Sequence, residues 1–351
     1  MKSAYFLIPG DPDTRTGGYL YDRRIMSGLT ALGWHIELRQ LDACFPQPTP
    51  AALHEVDMVL AALPEQSLTV IDGLALGAMP TLAAKWRKRL RLVALVHHPL
   101  ALETGLDAES SQRLYASERE ALRHVQRIIV TSPSTARALE ADYEVAPECC
   151  IVIPPGTDPA PLAEGSDGRE LQLLCVASLT PRKGHLVLLR ALARLKHHAW
   201  RLLCAGSPLL DPPTTAELHR LVAELELSEC VEFLGELDEK ALAIRYRQAD
   251  IFVLPSYHEG YGMALAEALA RGLPIISTTA GAIPDTVPAN AGLLVPAGDE
   301  AALSAALARI MVEPMLRQDL AAGARIARQS LSDWPETCVR FAATLNEIPS
   351  I

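Results

Sequence analysis

No run of apolar residues in this chain approaches the length of a membrane span, and the first one, after Lys2, stops by Pro9, too short for a signal peptide. The expectation is a cytoplasmic protein. A basic field is missing too: 32 Lys and Arg stand against 42 Asp and Glu, and the net charge of −10 is spread evenly over the two halves. That argues against a nucleic-acid partner. The seven cysteines, including adjacent Cys149 and Cys150 and isolated Cys175, Cys204 and Cys230, show neither Cys-x-x-Cys spacing nor an even framework. They read as small core residues in a reducing cytosol. Internal repeats and low-complexity segments are absent. What is present is a 351-residue chain, 49% of it hydrophobic, enough for two domains that each bury a core.

One stretch, Asp250 to Asp285, reads without ambiguity as strand, loop, helix and strand. Ile251 to Leu254 is an apolar run suited to a parallel strand buried on both faces. Gly260 and Gly262 permit a tight turn, and Met263 to Arg271 is an alanine- and leucine-rich helix closed by Gly272 and Pro274. The helix amino end, with free N–H groups and the positive end of the dipole, offers a phosphate site. Glu259 and Glu267 bracket the turn. Taken singly, each is a solvated glutamate.

Together they resemble the signature of retaining GT-B glycosyltransferases of family four, the group 1 transferases. There Glu-x7-Glu is followed by a small-residue helix and a Gly-x-Pro strand entry. Glu259, Gly260, Gly262, Glu267, Ala268, Gly272 and Pro274 match in order, and Pro284 and Asp285 continue the pattern. The resemblance covers almost the whole chain, strongest from Leu171 to Asp299 and thinnest from Pro46 to Lys85. It implies an α/β protein with the GT-B fold, two facing Rossmann-like domains with a cleft between them.

Elsewhere the chain alternates strands with helices, as a doubly wound sheet requires. Ala4 to Ile8, Trp34 to Leu41, Asp57 to Ala61, Leu90 to Val96 and Ile128 to Thr131 read as strands of the first domain. In the loop Pro9 to Gly18, Gly17 and Gly18 match the family's paired glycines at the donor diphosphate; a plain turn is the other reading. Asp11-Pro-Asp13 is read as turn chemistry, and no metal is expected. His97 closes a strand where open α/β sheets put their ligands, and it matches a family His that faces donor sugar and acceptor. His98 stands where the family commonly has Asp. The basic run Lys85 to Arg91, with Trp86 inside it, is either a solvated helix end or a peripheral contact with anionic phospholipid.

Five prolines between Pro147 and Pro161 mark an interdomain linker. The domains are then 1–160 on the acceptor side and 161–331 on the donor side, with 332–351 returning to the first. In the second, Lys183-Gly184 match the family's Lys-Gly, but Ser178 replaces its arginine. Arg182, whose planar fork suits phosphate, either compensates or is an exposed loop charge. The loop of Gly235 resembles the one that meets the nucleotide base.

The resemblance implies a metal-independent, retaining transfer of a hexosyl group from a UDP-sugar, with no cofactor besides that co-substrate. Gly17, Gly18, Arg182, Lys183, Gly235, Glu259, Gly260, Tyr261, Gly262, Met263, Ala264 and Glu267 would bind the donor, with Glu267 on the ribose and Glu259 on a sugar hydroxyl. Glu259, His97 and Lys183 are the catalytic candidates. The acceptor, a lipid, a saccharide or a small metabolite, stays open. Two rivals are a GT-B nucleotide-sugar epimerase and a sugar-binding protein without chemistry. A nicotinamide enzyme does not fit, because Gly260-Tyr-Gly262 lacks a third glycine and a ribose acid about twenty residues on.

Overall fold

The computed structural model describes residues 2–168 and 170–350. They divide into two compact units, Met1–Gly156 with Ser332–Ile351, and Thr157–Leu331.

The first unit runs β1 (Ser3–Pro9), α1 (Gly17–Ala31), β2 (His35–Leu41), α2 (Pro50–Ala62), β3 (Leu68–Asp72), α3 (Gly73–Leu76), α4 (Pro80–Trp86), β4 (Arg91–Val96), α5 (Ala108–Leu122), β5 (Arg127–Val130), α6 (Pro133–Asp142) and β6 (Cys150–Val152). Its sheet has the order β2-β1-β3-β4-β5-β6, every pair parallel. The second unit runs β7 (Leu171–Val176), α7 (His185–Ala193), β8 (Trp200–Ala205), α8 (Pro212–Glu224), β9 (Val231–Gly235), α9 (Glu239–Gln248), β10 (Ile251–Leu254), α10 (Met263–Ala270), β11 (Ile275–Thr278), α11 (Ile283–Thr286), β12 (Gly292–Val295), α12 (Glu300–Val312) and α13 (Pro314–Ala327). Its sheet is also parallel, in the order β12-β11-β10-β7-β8-β9. Strand order reverses between β1 and β3 in one sheet and between β7 and β10 in the other. In doubly wound sheets ligands bind at that reversal, beyond the carboxyl ends of the strands.

Helix α14 (Trp334–Asn346), capped by Asp333, lies in the first unit against α1. The crossing is tight: a Cβ on Gly28 would stand 2.1 Å from Cys338 Sγ. Phe341 stacks on Phe6 of β1 with ring centroids 6.2 Å apart.

Three expectations are corrected. Asp57 to Ala61 is not a strand but the last turns of α2. Thr49 caps that helix, Pro50 opens it, and Ala52, Val56 and Leu60 bury one face at a spacing of four. The strand that takes its place in the sheet, β3, lies further on. Second, the proline-rich stretch is not all linker, because β6 pairs with β5 before the units divide at Gly156. A three-residue edge strand is too short to leave a periodic signal. Third, Gly17 and Gly18 are not in the loop; Thr16 caps α1 and they form its first turn.

The basic run is largely engaged within the chain. Lys85 Nζ meets Asp57 at 2.7 Å, and Trp86 Nε1 donates to the same carboxylate at 2.8 Å. Arg89 donates to the Leu60, Ala61 and Leu63 carbonyls, the negative end of the α2 dipole. Arg91 Nε donates to Gln66 O at 2.7 Å. Among the described residues no helix is long and apolar enough to cross a membrane.

Candidate functional site

In the second unit, neighbouring β7 and β10 deliver their following loops side by side, so residues 76 positions apart in sequence meet. One backbone and one side-chain bond lock the loops: Tyr257 N donates to Arg182 O, and Arg182 Nη1 donates to His258 O, both at 2.8 Å. Gly184 has φ +71°, and a Cβ there would stand 2.1 Å from Pro255 O, so only glycine permits this approach. A third loop, after β11, holds Glu259 from behind, with Ala282 N donating to Glu259 O at 2.8 Å.

The Glu259 side chain is buried and points at two cations. Lys183 Nζ and Ser256 Oγ each donate to Oε1 at 2.6 Å, and Arg182 Nη1 lies 3.6 Å from Oε2. Burial disfavours the Glu259 charge, but Lys183 and Arg182 outweigh it and hold the carboxyl down at about 2. Burial and Arg182 draw the Lys183 ammonium below the ordinary lysine range while Glu259 pulls the other way. The cluster therefore carries two positive charges and one negative.

Gly262, at φ +87°, turns the chain into α10, whose amino end has no side-chain cap. Thr286 Oγ1 fixes the turn by donating to Tyr261 O at 2.6 Å. One turn along α10, half-buried Glu267 accepts from Tyr246 OH at 3.0 Å. Tyr246 is fully buried, stacked on Phe252, with the Arg271 guanidinium 4.1 Å from its ring centroid. Gly235 ends β9, three strands from β10, at about 14 Å by ordinary strand spacing. It is thus at the same sheet edge as Glu259 but apart from the charged cluster.

The first unit gathers a second charged cluster. His97, just past β4, places Nε2 3.1 Å from Asp22 Oδ1 on α1 and 3.5 Å from Asp72 Oδ2 at the end of β3. Asp22 is fully buried and Asp72 is 3% exposed; Asp72 also caps α3 through Leu74 N at 2.7 Å. Burial alone would lower the His97 pKa, but the two carboxylates raise it to about 10. A Cβ on Gly18 would stand 3.3 Å from His97 Cδ2, so this glycine makes room for the ring. His98 turns to Glu103 at 3.2 Å. Asp11 accepts from Asp13 N at 2.9 Å, the turn expected there.

Asp22, Asp72, Ser256 and Tyr246 were not singled out from sequence. Asp72 and Ser256 stand at the carboxyl ends of strands, a signal that position could have supplied. Asp22 and Tyr246 sit in helices with nothing local to mark them.

The family model described as Glycosyl transferases group 1 matches residues 160–327, and Glycosyltransferase Family 4 matches residues 35–161. The chain belongs to the group 1 glycosyltransferases. This transferase is 29% identical over 317 residues to MMP alpha-(1->4)-mannosyltransferase of Mycolicibacterium hassiacum, a match covering 86% of this chain and 75% of that one. It is 32% identical over 246 residues to D-inositol 3-phosphate glycosyltransferase of Corynebacterium jeikeium, covering 64% of this chain and 58% of the relative. The second match thus spans little more than half of that relative's length. Among solved structures, sucrose-phosphate synthase from Thermosynechococcus elongatus superposes with TM-score 0.84 at 24% identity, over 99% of each chain. Anabaena Alr3699/HepE in complex with UDP-glucose gives TM-score 0.75 at 17% identity, over 97% of this chain and 99% of that one. The transferase has the two-domain α/β fold of the GT-B class.

Proposed function

We propose that this glycosyltransferase moves a hexosyl group from a UDP-sugar to an acceptor hydroxyl, with retention and without a metal ion or other cofactor. The observation that carries the donor half is the Lys183–Glu259–Arg182 cluster, net positive, beside the uncapped amino end of α10 at the strand-order reversal. A diphosphate is the ligand class that such a place suits. The UDP-glucose complex of the HepE structure supports the same choice.

In this reading Lys183 and Arg182 take the charge that builds on the departing diphosphate, with help from the N–H groups of Met263 and Ala264. Two side-chain cations and a helix terminus supply what a divalent ion would otherwise supply. Arg182 stands in for the arginine replaced by Ser178. Glu259, fixed by Lys183 and Ser256, orients a sugar hydroxyl and favours the oxocarbenium-like state. Glu267, steadied by Tyr246, binds the ribose; Gly235, Gly260 and Tyr261 line the nucleotide. In the first unit Gly17 and Gly18 let the diphosphate approach, and His97 faces the sugar. With no protein nucleophile, a phosphate oxygen takes the acceptor proton as the acceptor attacks the face the diphosphate leaves.

Seven free thiols and a nucleotide-sugar donor suit the reducing cytoplasm. Of the basic run, Arg87 and Lys88 are the cations left for a peripheral headgroup contact.

A thermal-shift panel of nucleotide sugars tests the donor: at a hundred times its Kd the true donor adds about 2.7 kcal/mol of apparent stability. Product that forms only with an acceptor, in EDTA, and with the donor's anomeric configuration by NMR is the expected result. Product from the UDP-sugar alone would select the epimerase reading, and binding without turnover the sugar-binding one. Activity lost in EDTA and restored by manganese would overturn metal independence.

A further inference from the structure

We infer that Asp22 and Asp72 are positioning residues that hold His97 as a doubly protonated imidazolium, so that His97 meets substrate as an Nδ1–H donor and not as a general base. The inference rests on the reading above, in which His97 faces the sugar.

Three elements, α1, β3 and β4, bring these side chains together, and their polar atoms lie within 4.8 Å of one another. Both carboxylates address the same nitrogen, Nε2. All side-chain hydrogen bonds and ion pairs of His97 among the described residues are on Nε2, and the side chain keeps 19% of its surface exposed. A neutral imidazole would leave two adjacent carboxylates without a counter-charge. Asp22 cannot tolerate this easily: it is fully buried, and its Oδ2 has no hydrogen-bond partner. Breaking a buried pair leaves an uncompensated charge out of water, so the proton on His97 is part of the fold.

The surrounding groups do not compete for that role. Tyr21 sets its ring edge against the imidazole, centroids 5.6 Å apart, and donates its hydroxyl to Ile153 O at 3.0 Å. Tyr19 donates to Pro9 O at 2.7 Å. Burial and the nearby aspartates push Tyr19 up to about 12, and burial holds Tyr21 above the ordinary tyrosine range, so both hydroxyls stay neutral. Arg23, the other cation that acts on Asp22, donates to the Pro12 and Thr14 carbonyls. Thr131 Oγ1 pins the His97 carbonyl at 3.2 Å. An imidazolium so held has no lone pair to offer, and its Nδ1–H is a charge-assisted donor for a hydroxyl or phosphate oxygen.

The test is long-range 1H–15N NMR of the full chain with 15N-labelled histidine, the His97 signal assigned through His97→Gln. At pH 8, where an ordinary histidine is neutral, the wild type should show both ring nitrogens protonated, and Asp22→Asn and Asp72→Asn should each move the titration midpoint down toward the ordinary value of about 6.5. Two variants are used because either alone could fail to fold. A neutral tautomer in the wild type at pH 8, an unmoved midpoint in both variants, or replacement of the imidazolium signature on adding Zn2+ would each overturn the inference. UDP binding by calorimetry is run beside it. Loss of the donor reading would appear there, as no UDP binding, with the histidine spectrum unchanged.

Discussion

The two units share a topology and use it to opposite electrostatic ends. Each has a six-stranded parallel sheet and assembles a buried charged triad near its strand-order reversal. In the second unit two cations surround one carboxylate, Arg182 and Lys183 about Glu259. In the first, two carboxylates surround one histidine, Asp22 and Asp72 about His97. A site left with net positive charge suits phosphate. A site with net negative charge draws phosphate less strongly and offers a ligand oxygen one charge-assisted imidazolium N–H. The same sheet edge thus presents either sign of charge, according to which side chains the neighbouring elements bring to it.

The comparison breaks most severely at the minority charge of the second unit. Glu259→Ala should lower kcat by about 10²- to 10³-fold, the scale of one preorganised electrostatic contact, read by steady-state kinetics with saturating donor. A kcat within threefold of wild type would remove Glu259 from the chemistry. Next is Lys183→Ala, which removes a charge-assisted phosphate contact and should weaken UDP binding by roughly 1.5 to 3 kcal/mol in calorimetry. Arg182→Ala should cost a comparable amount if Arg182 replaces the family arginine missing at Ser178; normal kinetics would assign the second cation elsewhere. Glu267→Gln comes below these. It keeps the Tyr246 partner, so the Tm should hardly change, while UDP affinity falls by about 1 kcal/mol, the scale of a single hydrogen bond. Unchanged affinity would leave Glu267 as a structural partner of Tyr246 alone.

How much of this was legible in the sequence follows from where each signal resides. The loop between β10 and α10 was readable because Glu259, Gly260, Gly262 and Glu267 lie within nine positions and their spacing survives folding intact. The Lys183–Glu259 pairing was not, since it depends on β7 and β10 being neighbours across 76 residues. His97 was readable from its place at a strand end. Its partners were not: Asp72 ends a strand whose place was given to residues 57–61, an apolar run that Thr49 and Pro50 start as a helix. Asp22 is one polar residue in an amphipathic helix, and only the packing of α1 on the sheet reveals it as buried. Local chemistry is written in order along the chain, whereas charge compensation is written in the topology.

The smallest effects at neutral pH are the pH dependences, and they sharpen the comparison because their signs differ. Glu259 is held at about 2 against an ordinary 4.5. A carboxyl depressed by folding contributes stability that is present above pH 4.5 and lost as pH falls toward 2. His97 is raised to about 10 from an ordinary 6.5, so its contribution is complete below pH 6.5 and lost as pH rises through about 10. The buried Asp22 carboxyl is itself raised by desolvation, so the histidine term has to be read as a difference between the wild type and a His97 variant. The Tm of wild type minus that of Glu259→Gln should shrink as pH drops from 4.5 to 2. For His97→Gln the same difference should be flat below 6.5 and shrink from there to 10. Parallel curves for the two variants would mean that the triads do not differ in the sign of their minority charge, and the contrast between the units would fail.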